Sequence, residues 1–231
     1  EDGGASFSLD SIIGTSSIIS NCSSETGFGG AFVSFGSVSV VSSSISNCSA
    51  ITNNGGAIYV LGRGTVSLNS TLITNCFAGI AGGGAIFLES TEGLTVSNTT
   101  ITDCSSNDFG GAIYLVNSGD GLQTSTIVSS TISNCTAAYY GGAIYAENGK
   151  GSQTIRVVSS AITNCSAGRA GSALYTNNHG QGTQKTIIIS SSLEDCHTGW
   201  MGCSAVYTNA SILQFCDLLN ENSYRCNEGF N

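Results

Sequence analysis

The chain contains no proline and few charged residues, and these shortages limit what it can be. Charged residues make up 9% of its 231 residues, only six of them are Lys or Arg, and the net charge is -9. Such a chain lacks the basic surface that binding to nucleic acid or to an anionic membrane requires. We therefore predict no nucleic-acid partner. Because proline is missing, every backbone N–H is free to join a continuous hydrogen-bond ladder.

Long apolar runs are also missing. None approaches the roughly 18 residues of a membrane-spanning helix, so we predict no membrane insertion. Hydrophobic residues nevertheless make up 40% of the chain, which is enough for a buried core and too much for a disordered chain. The 31 glycines are typical of tight corners with positive φ. We expect a folded chain whose polar surface is mostly Ser, Thr and Asn.

A short phrase of small residues, an alanine and usually two large apolar residues recurs eight times. The anchoring alanines are Ala5, Ala31, Ala57, Ala85, Ala112, Ala143, Ala173 and Ala205. Their separations of 26 to 32 residues are typical of a solenoid of stacked units. Because the repeat runs almost from end to end, we predict one domain over residues 1–231, with residues 197–231 as a cysteine-containing C-terminal cap.

Within each repeat, apolar and polar residues alternate over short stretches. Val66 and Leu68 form one alternating pair, and Ile73 precedes the pair Asn75-Cys76 at the end of another stretch. A period of two predicts strands, and no segment has the helical period of 3.6. We predict an all-β parallel solenoid of about eight coils with three short strands per coil. Stacking in register would place equivalent residues about 4.8 Å apart.

The pairing of Gly-Gly-Ala-Ile with an apolar-x-Asn phrase, as in residues 51–59 and 132–145, resembles the repeat of the polymorphic outer membrane protein family. More broadly, it is similar to the pectin-lyase-like right-handed parallel β-helices. The resemblance covers nearly the whole chain and implies a right-handed parallel β-helix. It selects no function, because that architecture carries adhesins, passenger domains, polysaccharide lyases and hydrolases alike.

Ten cysteines are placed regularly along the chain. Seven recur once per repeat and form a column: Cys22, Cys48, Cys76, Cys104, Cys135, Cys165 and Cys196. Stacking would bring neighbours within reach of a disulfide, so bridges between coils are favoured, with a buried stack of free thiols as the alternative. The even total indicates an oxidising compartment, and we predict an extracellular or cell-surface location.

The other three cysteines, Cys203, Cys216 and Cys226, gather at the C-terminal end, not far from His197. Their spacing matches no zinc finger or zinc ribbon pattern. A cap tied by disulfides is therefore favoured over a zinc site. No metal and no cofactor is predicted.

Seven Asn-x-Ser/Thr triplets are present, which are acceptors for N-linked glycan in a secreted eukaryotic chain. In a chain so rich in Ser, Thr and Asn, composition alone also produces such triplets. We rank Asn69, Asn98 and Asn209 first, because the first two lie at a corner that should face solvent. The remaining four precede a column cysteine, where we expect an inward hydrogen-bonded ladder: Asn21, Asn47, Asn134 and Asn164.

A polysaccharide-cleaving β-helix needs carboxylates that bracket a glycosidic bond on adjacent coils. Glu89 and Glu147 share a repeat position, but Val116 occupies that position in the coil between them. His179 has no carboxylate near it in the sequence, and we interpret it as a solvated surface imidazole. The nearest approach to a cluster, which a polar cap explains equally well, consists of Glu194, Asp195, His197 and Trp200. We predict no catalytic residue.

An aromatic residue stands two positions after most anchoring alanines: Phe7, Tyr59, Phe87, Tyr114, Tyr145, Tyr175 and Tyr207. Strand alternation predicts that alanine and tyrosine share one face, opposite isoleucine. One of these columns is then core and the other is surface. A packing role for the tyrosines is favoured, and the alternative is an exposed stripe suited to sugar or protein contact.

The leading hypothesis is a noncatalytic extracellular structural or adhesive rod with carbohydrate or cell-surface contacts and covalent N-glycans. The chain begins in mid-pattern at Gly3-Gly4-Ala5, and an open strand edge predicts self-association through coil ends into a head-to-tail filament. One alternative is a carbohydrate-active enzyme of the pectin-lyase-like group. A second is an ice-binding protein, for which only scattered Thr-x-Thr ranks, such as Thr100 and Thr102, are visible.

Overall fold

The computed structural model describes residue 4 and residues 6–199, 205–209, 212–216 and 225–226. Within these ranges the chain forms strands and turns and contains no helix. Each strand pairs in parallel with its equivalent in the neighbouring coil, and the strands build four sheets. Seven coils contribute a strand to all four sheets. The predicted all-β parallel solenoid is confirmed.

Sheets 1 and 2 contain the longer strands. Sheet 1 consists of Ser6–Ser8, Phe32–Ser34, Ile58–Gly62, Ile86–Ser90, Ile113–Asn117, Ile144–Asn148, Leu174–Asn178, Val206–Thr208 and Arg225–Cys226. Sheet 2 consists of Ile12–Thr15, Val38–Val41, Thr65–Asn69, Gly93–Ser97, Leu122–Val128, Ser152–Val158, Gln184–Ile189 and Ile212–Cys216.

Sheets 3 and 4 contain shorter strands. Sheet 3 consists of Ile18–Ser20, Ser44–Ser46, Leu72–Thr74, Thr100–Thr102, Thr131–Ser133, Ala161–Thr163 and Ser192–Glu194. Sheet 4 consists of Ser23–Ser24, Ser49–Ala50, Phe77–Ala78, Ser105–Ser106, Thr136–Ala137, Ser166–Ala167 and His197–Thr198. The three predicted strands per coil correspond to sheets 1 to 3. Sheet 4 adds a fourth strand after each column cysteine, and its two residues are too few to display a period.

Alternation along sheets 2 and 3 separates core side chains from surface side chains. Val66 and Ile73 are fully buried, whereas Leu72 is 40% exposed. The register repeats from coil to coil, so that Ile73 pairs with Ile45 on one side and with Ile101 on the other. Like residues therefore stack on like, and one apolar core runs along the axis of the solenoid.

The strands of sheet 1 depart from simple alternation where they begin. Ala57 and Ile58 are both fully buried in the axial core, and their two N–H groups donate to one carbonyl oxygen, that of Ala85, at 3.0 and 2.9 Å. Two residues thus oppose one, as in a β-bulge. A Cβ on Gly56 would collide with the Gly84 carbonyl oxygen of the next coil, which explains the glycine before the alanine. The prediction that alanine shares a face with tyrosine is therefore wrong.

The aromatic column lies on the outer side of sheet 1, yet its central members are buried, namely Tyr59, Phe87, Tyr114 and Tyr145. Tyr59 is only 6% exposed. Described loops before sheet 1 strands cover the column, and Phe28, Phe109 and Tyr140 from these loops pack against it. Isoleucine and tyrosine thus occupy two separate buried clusters. The expectation that one of the two columns is surface is wrong, and the tyrosines have the favoured packing role.

Two rows of corner residues have positive φ, between 47° and 56°. The row between sheets 2 and 3 is Ser16, Ser42, Ser70, Asn98, Ser129, Ser159 and Ser190. The row between sheets 3 and 4 is Asn21, Asn47, Asn75, Asp103, Asn134, Asn164 and Asp195. Asn and Asp are enriched in this left-handed conformation among residues with a side chain. The corner geometry therefore explains the Asn or Asp before each column cysteine.

Buried amides form rows where sheet 1 leads into sheet 2. Gln123, Gln153 and Gln184 are fully buried, and the Nε2 atoms of the last two each donate to the Oε1 atom of the glutamine one coil earlier at 2.6 Å. The Nδ2 atom of Asn117 likewise donates to the Oδ1 atom of Asn148 at 3.1 Å. An unpaired buried polar group costs about 1–3 kcal/mol. Each row therefore ties neighbouring coils in register.

Most of the predicted cap lies outside the described residues. Its described strands continue the sheets of the solenoid: His197–Thr198, Val206–Thr208, Ile212–Cys216 and Arg225–Cys226. The division into a domain over 1–231 with a cap over 197–231 stays a prediction. In the described ranges no helix has the length and apolarity needed to cross a membrane.

Candidate functional site

The predicted polar group near the C-terminal end is spread over a corner. Glu194 is half-buried at the end of a sheet 3 strand, and Asp195 is exposed at the corner that follows. The Nδ1 atom of the exposed His197 lies 2.7 Å from the Asp195 carbonyl oxygen, so the ring contacts backbone and not a carboxylate. Trp200 lies outside the described residues. The described members of this group form no acid–base pair.

Glu89 and Glu147 lie in one column on the outer side of sheet 1, with Val116 between them as predicted. Two coil steps separate the carboxylates, which is about 10 Å. Both side chains are partly exposed. In the next coil the same position is held by Asn177.

Glu147 is the centre of a polar cluster that sequence reasoning missed. Its Oε2 atom accepts a hydrogen bond from the Tyr114 hydroxyl at 2.9 Å, and its Oε1 atom lies 3.8 Å from the Nε2 atom of His179. The amide nitrogen of Asn177 lies 2.6 Å from the same ring nitrogen. A neutral imidazole with its proton on Nδ1 accepts this hydrogen bond. His179 is at the surface, with its side chain 58% exposed, but it is not simply solvated, because the preceding coil supplies a carboxylate.

The tyrosine hydroxyls beside this cluster are held in the neutral form. Burial, and then the Glu147 carboxylate, raise the pKa of Tyr114. Burial raises the pKa of Tyr145 to about 12. The Tyr114 ring stands at 87° to the Tyr145 ring, whereas Tyr145 and Tyr175 are within 7° of parallel. The turned ring of Tyr114 directs its hydroxyl at Glu147.

Stacking within the aromatic column covers most ring faces. The ring centroids of Tyr175 and Tyr207 are 4.6 Å apart and the rings are 8° from parallel. A sugar ring stacks on an exposed aromatic face, and this column offers mainly edges and hydroxyls. Outside the column, Tyr139 is 39% exposed, and the Arg169 guanidinium lies 4.7 Å from the centre of its ring. The aromatic column therefore serves mainly for packing, and it offers a sugar ring little exposed aromatic face.

The seven column cysteines line the corner between sheets 3 and 4 and have free thiols. The five central members are at most 1% exposed. The Sγ atoms of Cys104 and Cys135 donate to the carbonyl oxygens of Thr102 and Ser133 at 3.3 and 3.1 Å. Parallel stacked side chains do not provide the S–S torsion near 90° that an unstrained disulfide needs. Of the two predicted arrangements, the structure has the thiol stack and not the favoured bridges.

Neighbouring thiols in the column shift each other's pKa through hydrogen bonds. Hydrogen bonds with Cys135 and Cys76, followed by burial, raise the pKa of Cys104. Hydrogen bonds from Cys104 and Cys48 lower the pKa of Cys76. The pKa values of the two cysteines shift in opposite directions. A thiol that donates a hydrogen bond to its neighbour stabilises the thiolate form of that neighbour and loses this donor if it ionises itself. Burial opposes charge at both positions, and the buried side chains pack against the apolar core as small groups.

The side chains of the three predicted cap cysteines lie outside the described part of the structure. Cys203 lies outside the described residues, and only backbone is described at Cys216 and Cys226. In the described part of the chain no group of three or more His, Cys, Asp or Glu residues could hold a metal ion. The disulfide-tied cap stays a prediction.

The asparagine ladder ahead of the column cysteines exists but faces solvent. The Nδ2 atom of Asn75 donates to the Oδ1 atom of Asn47 at 2.7 Å, and Asn164 donates to Asn134 at 2.8 Å. Asp103 accepts from Asn134 at 3.1 Å. All of these residues are exposed, because the cysteine that follows takes the inward direction at this corner. The prediction of an inward ladder is wrong.

Exposure is common to all seven sequon asparagines, namely Asn21, Asn47, Asn69, Asn98, Asn134, Asn164 and Asn209. Asn69 and Asn98 face solvent near the corner between sheets 2 and 3, as predicted. In contrast, the fully buried Asn117 and Asn148 have glycine and lysine where a sequon needs Ser or Thr. Every described sequon asparagine is thus accessible, although the exposed Asn75 and Asn107 show that accessibility is not confined to sequons.

A shallow groove of about 560 Å³ lies along the corner between sheets 2 and 3. Residues 16–18, 42–44, 70–72 and Asn98 line it, which makes it four coils long. Its lining is largely serine and threonine and contains no charged residue. Ile18 and Leu72 add apolar surface and are 85% and 40% exposed. This lining suits a neutral, hydroxyl-rich ligand.

The outward side of sheet 3 carries one regular column of hydroxyl groups: Ser20, Ser46, Thr74, Thr102, Ser133 and Thr163. Glu194 ends this column. The column two residues earlier is interrupted by Leu72 and Ala161. Pairs of threonines two residues apart therefore occur only in some coils, as the sequence indicates.

Parallel strand pairing in stacked coils places the protein in the class of parallel β-helix proteins. Residues 8–155, well over half of the chain, match the family model described as "Right handed beta helix region". The protein belongs to this family, which confirms the right-handed β-helix. No curated protein and no solved structure significantly matches the chain. The family includes both enzymes and non-enzymes, so the function must be argued from the residues.

Proposed function

We propose that this chain is a noncatalytic structural or adhesive rod of an extracellular or cell-surface glycoprotein. The observation that carries the proposal is the exposure of all seven sequon asparagines, while the fully buried asparagines lie outside sequons. Four of the triplets follow from the corner before sheet 4, so the exposed Asn69, Asn98 and Asn209 carry most of this argument. Attachment of N-linked glycan takes place during secretion, so the same observation supports the location. The resemblance to a family of surface proteins is in keeping with it.

The stacking supports a structural role. Backbone hydrogen bonds in four sheets join each coil to its neighbours, and the rows of buried amides and thiols repeat the connection between side chains. Because each coil contacts only its neighbours, such a rod is lengthened by adding coils without changing the core. Carboxylates and imidazoles are dispersed over the described surface, with Glu147 and His179 as the closest pair.

The first described coil supports contact with another molecule. Leu9, Ile13 and Ile18 are 73%, 78% and 85% exposed, and Phe7 is 48% exposed. Large apolar side chains that cluster on a surface are typical of sites that bind a partner. These side chains face outward from the sheets beside the first described coil, and we propose that coil ends of neighbouring copies meet next to this surface in a head-to-tail filament.

The test is secretion of the chain from a eukaryotic host, followed by mass spectrometry of its glycopeptides. We expect glycan on several of the seven asparagines, and rods that join end to end in electron micrographs as the concentration rises. Immunogold labelling of native cells is expected outside the plasma membrane. A secreted, folded chain without any glycan would contradict the glycoprotein role, and single particles at every concentration would contradict the filament.

A carbohydrate-active enzyme is the alternative that a specific observation favours. Glu89 and Glu147 are about 10 Å apart, close to the separation of about 6.5–9.5 Å between the two carboxyl groups of inverting glycosidases. Tyr114 and His179 contact Glu147 and would orient it. The assay measures reducing ends released from acidic and neutral plant polysaccharides. This alternative requires activity that Glu147→Gln abolishes and Glu194→Gln leaves intact, whereas the rod requires no release by the unaltered chain.

Ice binding is a second alternative, which the hydroxyl column of sheet 3 favours. It requires thermal hysteresis that Thr102→Leu reduces, since a leucine in the centre of the column would interrupt its contact with ice. The rod requires no hysteresis in either protein.

A further inference from the structure

We propose that Asn98 carries an N-linked glycan whose first sugars lie in the groove between sheets 2 and 3. The inference rests on the glycoprotein part of the proposed function and deepens it, because it assigns one glycan a binding site on the protein itself. The groove is the one lined by residues 16–18, 42–44, 70–72 and Asn98. Its occupant is a short chain of neutral N-acetylhexosamine-type sugars.

The position of Asn98 in its corner row is unusual. In the described coils every other member of this row is a serine, and all have φ between 47° and 50°. Serine therefore satisfies the corner, and the geometry does not require an asparagine there. Thr100, which completes the sequon, is exposed on sheet 3. Both side chains needed for glycosylation are thus accessible at one end of the groove.

The amide of Asn98 lines the groove and points toward the preceding coil. Its Nδ2 atom, which would carry the sugar, lies 3.4 Å from the Oδ1 atom of Asn69 in the preceding coil. The remaining lining residues all belong to preceding coils. A glycan leaving Nδ2 therefore starts along the groove and not away from it.

The length and lining of the groove match a short glycan. From the coil of Asn98 to that of Ile18 there are three coil steps, about 14 Å, which a short run of linked pyranose rings can span. The exposed Ile18 and Leu72 would contact the apolar faces and acetyl methyl groups of the sugars. The exposed Ser42 and Ser70 would hydrogen-bond their hydroxyls. A groove without charge suits a neutral ligand, since it strips no ion of water.

The sequons ahead of the cysteine column provide internal controls. The Nδ2 atom of Asn164 donates to Asn134 at 2.8 Å in an exposed ladder, and neither residue lines the groove. A glycan on Asn164 has no such lining beside it and would extend into solvent. The two sites can be compared within one protein molecule.

The first experiment follows release of each glycan from the folded, secreted protein by an endoglycosidase that cuts between the first two sugars. We expect Asn98 to be occupied and released at least about tenfold more slowly than Asn164, which corresponds to a docking free energy of about 1.4 kcal/mol. After denaturation both sites should be released equally fast. Equal rates in the folded protein would overturn the inference.

A double variant tests whether the groove causes the protection. Ile18→Ser with Leu72→Thr introduces residues that the same column already has at Ser44 and Thr100. We expect release at Asn98 to reach the rate at Asn164, with Asn164 unchanged. An unchanged slow rate would overturn the assignment to this groove. A second readout needs no variant: magnetic resonance should show contacts between the N-acetyl methyl group and Leu72 methyl groups, and their absence would overturn the proposal.

Occupancy separates failure of this inference from failure of the proposed function. If Asn98 is unoccupied while Asn134 or Asn164 carries glycan, the inference is overturned and the glycoprotein role stands. If none of the seven sequons is occupied, both are overturned.

Discussion

We predict that a carboxyl group placed in the row of buried glutamines makes the stability of the fold depend on pH. Gln153 is fully buried, its Nε2 atom donates to Gln123, and its Oε1 atom accepts from Gln184, both at 2.6 Å. The substitution Gln153→Glu keeps the shape of the side chain and replaces the amide nitrogen by oxygen. A protonated glutamic acid can still donate to the Oε1 atom of Gln123, whereas an ionised carboxylate cannot. The variant should therefore be sensitive to pH.

The magnitude follows from the burial of the new carboxyl group. Its pKa is about 4.3 in the unfolded chain, and full burial beside an acceptor oxygen raises it to about 7 or higher in the folded chain. Because the folded pKa is the raised one, destabilisation is small at pH 4 and grows as the pH rises toward the folded pKa. With about 1.36 kcal/mol for each unit, the loss at pH 7 exceeds the loss at pH 4 by about 3.5 kcal/mol.

Urea unfolding followed by circular dichroism at pH 4 and pH 7 measures this difference. The matched control is Gln181→Glu, which makes the same substitution at an exposed residue and should shift little at either pH. We expect the unfolding free energy of Gln153→Glu to fall by about 3.5 kcal/mol more at pH 7 than at pH 4. Equal losses at the two pH values would refute a buried, amide-paired row.

Three further predictions concern other parts of the rod. Ile101→Ala removes a fully buried side chain and should cost about 2–5 kcal/mol of unfolding free energy. The control Thr95→Ala, at an exposed residue, should cost about 0.5 kcal/mol or less, and both are measured in urea. The seven column thiols should react with a thiol reagent only after denaturation without reductant, and a denatured chain with no reactive column thiol would contradict the free stack. Because burial raises the folded pKa of Tyr145 to about 12, the stability that its neutral form provides should be present below about pH 10 and lost between about pH 10 and 12. Near-ultraviolet absorbance and the unfolding free energy, measured together across this range, check that expectation.

The coil was predictable because stacking is periodic. Once Ile45, Ile73 and Ile101 are aligned by their repeat, in-register parallel pairing follows, and the structure has that register. The bulge at Ala57 and Ile58 was not predictable, because it depends on two N–H groups that share one acceptor. Period-two reasoning fails at that point and assigns the alanine to the wrong face.

The cluster around Glu147 was hidden for a different reason. His179 lies in the connection between sheets 1 and 2, and these connections differ in length from coil to coil, as in 118–121, 149–151 and 179–183. Loop residues therefore cannot be matched by repeat position, while strand residues such as Glu89 and Glu147 can. The direction of a corner side chain also could not be predicted from the repeat pattern. For this reason the Asn ladder was predicted to point inward.

The structure also separates the sequons that the fold requires from those that it does not. At the corner before sheet 4, positive φ favours asparagine, the next residue points inward as cysteine, and the one after it faces outward, mostly as Ser or Thr. The triplet Asn47-Cys48-Ser49 satisfies all three demands without any role for glycan. Asn75, which is followed by Cys76 and Phe77, preserves the same corner with no sequon. Asn98 has no such explanation, because serine occupies its corner in the other described coils. Occupancy of Asn98 is therefore a stronger sign of selection for glycan than occupancy of any sequon in the cysteine column.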